Sequence, residues 1–315
     1  MPGGKKPQTV DGCAFILVNY NTGEYLFDLL DFFDLERPGL PFTYQIIVVD
    51  NNSTDGSVER LTGRGDVRLI RNRENLGYAK AVNKGIEVAQ KKFRYLCVLN
   101  TDLRMDGLTL RLLWDFMEAG KKQKPEAMIC CPVLYSSNGK VQGFFFRLSA
   151  LFIHVEFLKS AYSSIMKAVI GRLKRPMAVD GVAGTFLFIR SGLVNKLGGE
   201  LFDEDYFFYF EDADLAVRLK KAGIRTYIVP GSHVVHFGSP TDVEFNWRLF
   251  YRNKYLFIEK NYGRIHAKLA RAMDRWKIRG KLLKYAFLKR VYPSRRVLSK
   301  FGHYSGMADR FEELW

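Results

Sequence analysis

The chain has 315 residues, 47% of them hydrophobic and 26% charged, a globular composition with length enough for one large core or two domains. No uninterrupted apolar stretch approaches the ~20 residues that a membrane-spanning helix needs. The net charge of +16 is unevenly placed: residues 244–315 hold 18 Lys and Arg against 6 Asp and Glu, a net +12, which leaves +4 for the first 243 residues.

Met1–Val10 is polar and basic and carries no secretory signal, so residues 1–12 are expected to be a disordered tail. Cys13–Asn19 reads as a buried strand, and Tyr25–Leu35 as an apolar-periodic helix after the turn at Asn21–Gly23. Gln45–Asp50 is a second buried strand, followed by a segment dense in turn and cap residues that opens a short helix. Val67–Ile70 is a third strand, and Gly77–Gln90 a helix with Ala79, Val82, Ile86 and Ala89 on one face. Tyr95–Leu99 is a fourth strand, Leu108–Ala119 a helix and Ala127–Leu134 a fifth strand. Cys13, Cys97, Cys130 and Cys131 sit in apolar runs without metal-ligand spacing and read as buried thiols of a cytosolic protein.

Strand–helix alternation at this pace predicts an α/β fold with right-handed crossovers and a mainly parallel, Rossmann-like central sheet flanked by helices. Ligands then sit beyond the carboxyl ends of the strands. Asp50 ends the second strand, and Asn100-Thr101-Asp102 follows the fourth. A carboxylate there suits a divalent cation, manganese or magnesium, that bridges to substrate phosphates. The competing reading is a turn into the next helix, with Asp106 as cap; two acidic strand ends at one edge favour the functional one. No GxGxxG follows the first strand and no Walker loop occurs, so neither dinucleotide nor P-loop binding is supported.

Residues 144–176 interrupt the alternation with an aromatic, aliphatic and basic insertion, either helical and packed on the core or dipping into a membrane interface. Val179–Arg190 returns to strand, with Gly181 and Gly184 permitting close backbone approach to a ligand. Tyr206–Phe210 is an unbroken aromatic run before Glu211, Asp212 and Asp214, which open a helix to Ala222. Capping explains acidic residues in a first turn. Three carboxylates after five aromatics also suit a general base of raised pKa. Arg225–Val229 is a strand, and Pro230–Ser239 a loop holding His233 and His236, with neutral imidazole available as a further metal ligand.

Phe245–Asn261 reads as an amphipathic helix, and residues 268–300 mix Lys and Arg with apolar residues. The predicted arrangement is a catalytic domain over 13–243 and a basic amphipathic helical region over 244–315. That region suits an anionic membrane surface; a solvated helical face is the alternative. Nucleic acid is a distant candidate, because no recognition motif is present.

In order, VDNNSTDGS (49–57), RENLGYAKAVNKGI (73–86), VLNTD (98–102), GTFLFIR (184–190), FFYFEDADLAVRLKKAG (207–223) and HVVHFGS (233–239) resemble the inverting family 2 glycosyltransferases of the GT-A fold. The rhamnosyltransferase-like branch of bacterial surface-polysaccharide synthesis is the part of the family they look most like. The resemblance covers roughly residues 13–262 and implies a nucleotide-sugar donor, rhamnose from dTDP-rhamnose first, and a glycan or lipid-linked acceptor. A UDP- or GDP-sugar of N-acetylglucosamine, galactose or mannose is the alternative, as is a non-catalytic membrane-associated relative.

The resemblance also implies roles. Asp50 would recognise base and ribose, and Asn75, Gly77, Ala81 and Asn83 would line the nucleotide pocket. Asn100-Thr101-Asp102 stands where the family has its DxD motif, with Asn in place of the first Asp, which leaves Asp102 the main metal ligand and His236 a second. Glu211-Asp212 matches the catalytic pair, with Asp212 the base and Asp214 ranked after it. Asn19, Asn52, Lys80, Gly184 and Asp214 complete the expected substrate-binding set. Lipid-linked acceptors imply a place on the cytoplasmic face of the membrane.

Overall fold

The computed structural model describes residues 10–121, 126–146, 156–238 and 246–311. Most of the expected tail, residues 147–155 of the insertion and the expected boundary at 243 and 244 lie outside them. The chain divides into two compact units, residues 1–148 with 157–244 and residues 149–156 with 245–315.

In the first unit, strands β1 (Val10–Asn19), β2 (Thr43–Asp50), β3 (Val67–Arg71) and β4 (Phe93–Leu99) alternate with helices α1 (Gly23–Glu36), α2 (Ser57–Leu61) and α3 (Tyr78–Ala89). Cys13–Leu17 and Ile46–Val49 are fully buried, as continuous apolar strands covered on both faces must be. Helix α3 turns Ala79, Val82, Ile86 and Ala89 inward. Its Gly85 permits close approach, since a Cβ there would stand 2.5 Å from Ile16 Cγ2.

The sheet order is β3-β2-β1-β4-β10-β6-β11-β5, counting β5 (Leu103–Arg104), β6 (Ile129–Ser136), β10 (Phe186–Arg190) and β11 (Thr226–His236). Strands β3 to β4 are parallel, and the register sets Asn19 beside Asp50 and Leu17 beside Leu99. The sheet is mixed rather than parallel throughout, because β10 runs antiparallel to both β4 and β6. Two reversals restore the direction, so β6 and its parallel neighbour β11 run the same way as β4. The carboxyl ends of β1, β2, β4 and β11 therefore share one edge.

Two local expectations change. Val179–Arg190 is broken into β8 (Met177–Val179), β9 (Gly181–Val182), which pairs with β7 (Phe145–Phe146), and β10, with the Gly184 turn between β9 and β10. Pro230–Ser239 is not a loop up to His236: β11 continues through Pro230 and Gly231 as an irregularity of register between Ile228 and His233. A bulge accommodates the missing proline N–H and the positive φ of Gly231. Helix α4 (Gly107–Gly120) is capped by Asp106, whose Oδ1 accepts from Thr109 N at 2.8 Å, so the cap and the Asp102 position are separate features. The insertion includes helix α5 (Glu156–Ile170), which buries Ile170 and packs Tyr162 and Met166 on the core while Ile165 and Val169 stay exposed.

The second unit contains helices α8 (Trp247–Tyr262), α9 (Arg264–Val291) and α10 (Arg295–Arg310), numbered after α6 (Gly192–Lys196) and α7 (Glu211–Lys221). Tyr255, Ile258, Ala267, Ala270, Ile278, Met307 and Phe311 form its interior. Asp274 is buried there, held by Lys254 Nζ at 2.6 Å and Tyr255 Oη at 2.9 Å.

Candidate active site

Helix α7 begins on two consecutive left-handed residues, Tyr209 (φ 71°) and Phe210 (φ 72°). Aromatic side chains disfavour that region, at roughly 1–3 kcal/mol each. The turn sets the carboxylates of Glu211 and Asp212 at the helix N-terminus. Glu211 is buried, and among the described residues its Oε2 has no hydrogen-bond partner. Burial, then the neighbouring Asp212, pushes its carboxyl up to about 8. Asp212 is half-buried, and its Oδ1 accepts from Ala213 N at 2.7 Å. The two carboxyls are thereby distinguished: burial favours the neutral form of Glu211, whereas Asp212 beside it is only half-buried.

Tyr78, at the start of α3, joins this pair to the strand ends. Its phenol donates to Gly184 O at 3.0 Å, and its N–H donates to Phe207 O at 2.7 Å. Burial pushes the phenol well above its usual range, and the charges of Glu211, Asp102 and Asp212 push it further the same way. The phenol is therefore held in its protonated form. A Cβ on Gly184 would lie 3.8 Å from Asp212 Cβ and 3.3 Å from the Phe202 ring, so the β9–β10 turn borders the pair. Gly77 has φ +82°, and a Cβ there would stand 2.4 Å from Phe207 O; glycine is what lets the two segments meet.

Asp102 is buried at the end of β4, and His236 Nε2 lies 3.3 Å from its Oδ2. Backbone pairing between β5 and β11 fixes this contact, with His236 opposite Leu103 and Phe237 N donating to Asp102 O at 3.1 Å. His233 is turned elsewhere: its ring meets Tyr135 at 5.2 Å and its backbone bonds Thr109. Gln142 holds the far side of the His236 ring.

The other expected residues divide by what they touch. Asn19 donates to Asp50 Oδ1 at 2.9 Å and reaches Ser53 and Ser57, while Asp50 Oδ2 accepts the backbone N–H groups of Asn52 and Ser53. Both side chains are fully buried, so they hold the 51–57 loop in shape from beneath. Asn52 is exposed with φ 68°, and Lys80 is exposed on α3. Asn75 Oδ1 accepts from Gly77 N at 2.9 Å, and Asn100 N donates to Thr185 O at 3.0 Å. Thr101 is buried and bonds the Thr22 hydroxyl.

Asn83 is committed to Phe202 through both its amide groups, which joins α3 to the segment before the aromatic run. Asp214 holds Arg218 at 2.8 Å, and Arg218 binds the carbonyls of Glu200 and Leu201. These bonds tie α3 and α7 to the segment 200–202. Asn51 and Asn72, which bond each other, were not singled out from the sequence; Asn51 also donates to Gly77 O at 3.1 Å. Tyr78 and Gln142 were likewise missed. Tyr78 falls within the quoted 73–86 motif, and nothing in the pattern marks Gln142.

Residues 15–197 match the sequence model described as Glycosyl transferase family 2. The chain belongs to that family. An N-acetylglucosaminyl-diphospho-decaprenol L-rhamnosyltransferase of Mycobacterium tuberculosis is 28% identical over 305 residues, 86% of this chain and 91% of that protein. Among solved structures, a mannosyltransferase from Pyrobaculum calidifontis in complex with GDP-Man and Mn2+ shares the fold with a TM-score of 0.54 and 16% identity, over 98% of this chain and 83% of that one. GalNAc-T7, crystallised with UDP, GalNAc and Mn2+, matches at a TM-score of 0.56 and 15% identity over 79% of this chain, which spans 48% of that structure.

For this family 2 glycosyltransferase, the donor set at Asp102 and His236 fits a divalent cation. Among the described residues no group of three or more His, Cys, Asp or Glu side chains could hold a metal. Magnesium needs no such cage: it keeps waters, uses one or two carboxylates and shares substrate phosphates. Neighbouring ligands of an octahedral ion at about 2.1 Å stand roughly 3 Å apart, and the observed 3.3 Å between Oδ2 and Nε2 is close to that spacing.

The buried Glu211 gives a pH signature. Its folded value of about 8 lies above the ordinary 4.5, so its contribution to stability is fully present below pH 4.5 and is lost as pH rises through about 8. Relative to wild type, Glu211→Gln should therefore gain thermal stability between pH 5 and pH 9. Melting curves that stay parallel over that range would contradict the assignment.

Proposed function

We propose that this family 2 glycosyltransferase moves a sugar from a nucleoside-diphosphate donor to a hydroxyl of a lipid-linked glycan in cell-surface polysaccharide synthesis, with inversion at the anomeric carbon. The named rhamnosyltransferase relative makes an activated rhamnose the first donor to try. A UDP- or GDP-sugar follows, since the structural neighbours carry UDP or GDP-mannose. The observation that carries the reading is His236 Nε2 standing 3.3 Å from Asp102 Oδ2 at the strand ends, with Asp212 beside the Gly184 turn to which Tyr78 is bonded.

In this reading Asp212 accepts the proton of the acceptor hydroxyl. The freed oxygen pair forms the bond to the anomeric carbon, and the bond from that carbon to the phosphate oxygen breaks toward the strand ends. One displacement needs one base and no protein nucleophile, a part that one carboxylate fills. Neutral Glu211 keeps negative charge from accumulating beside Asp212. Asp102 and His236 would hold a manganese or magnesium ion, whose chemistry is to neutralise charge on the departing diphosphate. The loop held by Asn19 and Asp50, together with Asn75 and Gly77, would border the nucleotide, and the Gly184 turn would admit the sugar.

The basic second unit supports a peripheral position on the cytoplasmic membrane face. Among the described residues no helix is long and apolar enough to cross a membrane. Along α9, Ile265, Leu269, Met273, Trp276, Leu283, Phe287 and Val291 are exposed, with Trp276 at 74% and Phe287 at 66%. At 3.6 residues per turn they fall within a sector of about 80°. Lys268 and Arg279 flank one side of the stripe, and Lys277 and Lys284 the other. An apolar stripe between cationic edges complements an anionic lipid interface.

Asp212→Asn should lower kcat by about 10²–10⁴-fold with donor affinity retained, measured with a panel of nucleotide sugars, lipid-linked acceptor and manganese. Full turnover in that variant would exclude Asp212 as base. Separately, Trp276→Ser with Phe287→Ser should weaken sedimentation with phosphatidylglycerol vesicles about tenfold or more. Unchanged binding would remove the stripe from the account.

A further inference from the structure

We infer that Gln142 is a positioning residue: it fixes which nitrogen of His236 carries the proton, and so keeps the other nitrogen's lone pair on the Asp102 side. The inference deepens the proposed site and rests on His236 acting there as a ligand.

Gln142 lies where the chain turns back along β6. Its N–H donates to Leu134 O at 2.9 Å, and the preceding Val141 bridges to Tyr135. His236 stands one strand over, opposite Ser136 in the parallel ladder. Two bonds join the residues. Gln142 Nε2 donates to the backbone carbonyl of His236 at 3.1 Å, and Gln142 Oε1 lies 3.0 Å from His236 Nδ1.

The first bond decides the second. A backbone carbonyl only accepts, so the nitrogen end of the amide is assigned to it and the oxygen end is left for the ring. An amide oxygen has no proton to give, so Nδ1 must bear the one they share. A neutral imidazole carries a single N–H. Nε2 then keeps its lone pair, and that atom is the one 3.3 Å from Asp102 Oδ2.

Without Gln142 the preference would reverse. A carboxylate is an acceptor, and it would draw the ring proton to Nε2 and block that nitrogen as a ligand. With Gln142 in place, two acceptors face each other across a gap suited to a positive charge. The partner of a ligating histidine's other nitrogen commonly fixes tautomer and ring orientation, and its loss typically costs 10–100-fold in metal affinity. Here the partner is an amide from the segment that turns back along β6, and the same amide grips the histidine's own carbonyl. Ring orientation and backbone are set together.

The test reads the tautomer directly. Metal-free full-length protein labelled with isotopic nitrogen in histidine is examined by long-range proton–nitrogen NMR, roughly two units above the ordinary imidazole pKa, with His236→Gln giving the assignment. Wild type and Gln142→Glu, which keeps an acceptor at the ring, should show the Nδ1–H form. Gln142→Met, nearly the same shape without the acceptor, should show Nε2–H. Manganese added to the same samples should broaden the His236 signals, and the half-broadening concentration should rise about 10–100-fold in Gln142→Met and stay near wild type in Gln142→Glu. An Nε2–H ring in wild type would overturn the inference, as would an unchanged tautomer in Gln142→Met. Manganese without effect on wild-type His236 would count against the metal site instead, while the spectra alone would still decide the role of Gln142.

Discussion

Strand direction is the constraint on which the rest depends. Asp102 and His236 come from strands separated by β10 and β6 in the sheet. They meet because β10 is antiparallel on both sides, so the chain reverses twice and β11 emerges at the edge where β4 ends. A short ladder between β5 and β11 then locks the register, and a one-residue slip would turn His236 to the other face. Hydrogen bonds in the sheet, with Gln142 on the far side of the ring, hold a carboxylate and an imidazole 3.3 Å apart.

The remaining chemistry is arranged at a local cost in stability. Two left-handed aromatics precede α7, and Glu211 keeps a buried oxygen unpartnered among the described residues. Fully bonded polar groups brace the floor around these features. Asn19 with Asp50 shapes one loop, Asn51 with Asn72 fixes the approach to Gly77, and Asn83 ties α3 to Phe202. Satisfied networks of this kind specify a single arrangement, which a site needs if its groups are to be held in place without ligand. Strain and orphaned polarity gathered at one place, on an otherwise consistent fold, mark where function has been favoured over stability.

Much of this is legible in the sequence, and the limits have physical reasons. Cys13–Asn19, Gln45–Asp50 and Tyr95–Leu99 announce buried strands by unbroken apolarity, and the acidic residues after two of them point to an edge. The Glu211-Asp212 pair stands out because three carboxylates exceed what a helix start requires. Pro230 and Gly231 suggest a loop because both usually end a strand, yet a bulge carries β11 past them. Asn83 and Asp214 read as ligand contacts from the sequence, and the structure adds that each also bonds within the protein, Asn83 to Phe202 and Asp214 to Arg218. Gln142 carries no signal, since its importance comes from a neighbour that only the sheet places beside it. The insertion read from its apolar pattern as core or membrane segment packs Tyr162 and Met166 on the core where it is described.

The most direct test of the central claim is a double-mutant cycle on Asp102→Asn and His236→Asn, read as manganese-dependent affinity for the nucleoside diphosphate. If the two side chains hold one cation between them, either substitution removes most of the metal's contribution. The double variant then loses little more than each single one, a coupling of about 1 kcal/mol or more. Losses that simply add would mean that Asp102 and His236 act independently, and the strand-end convergence would not be a metal site.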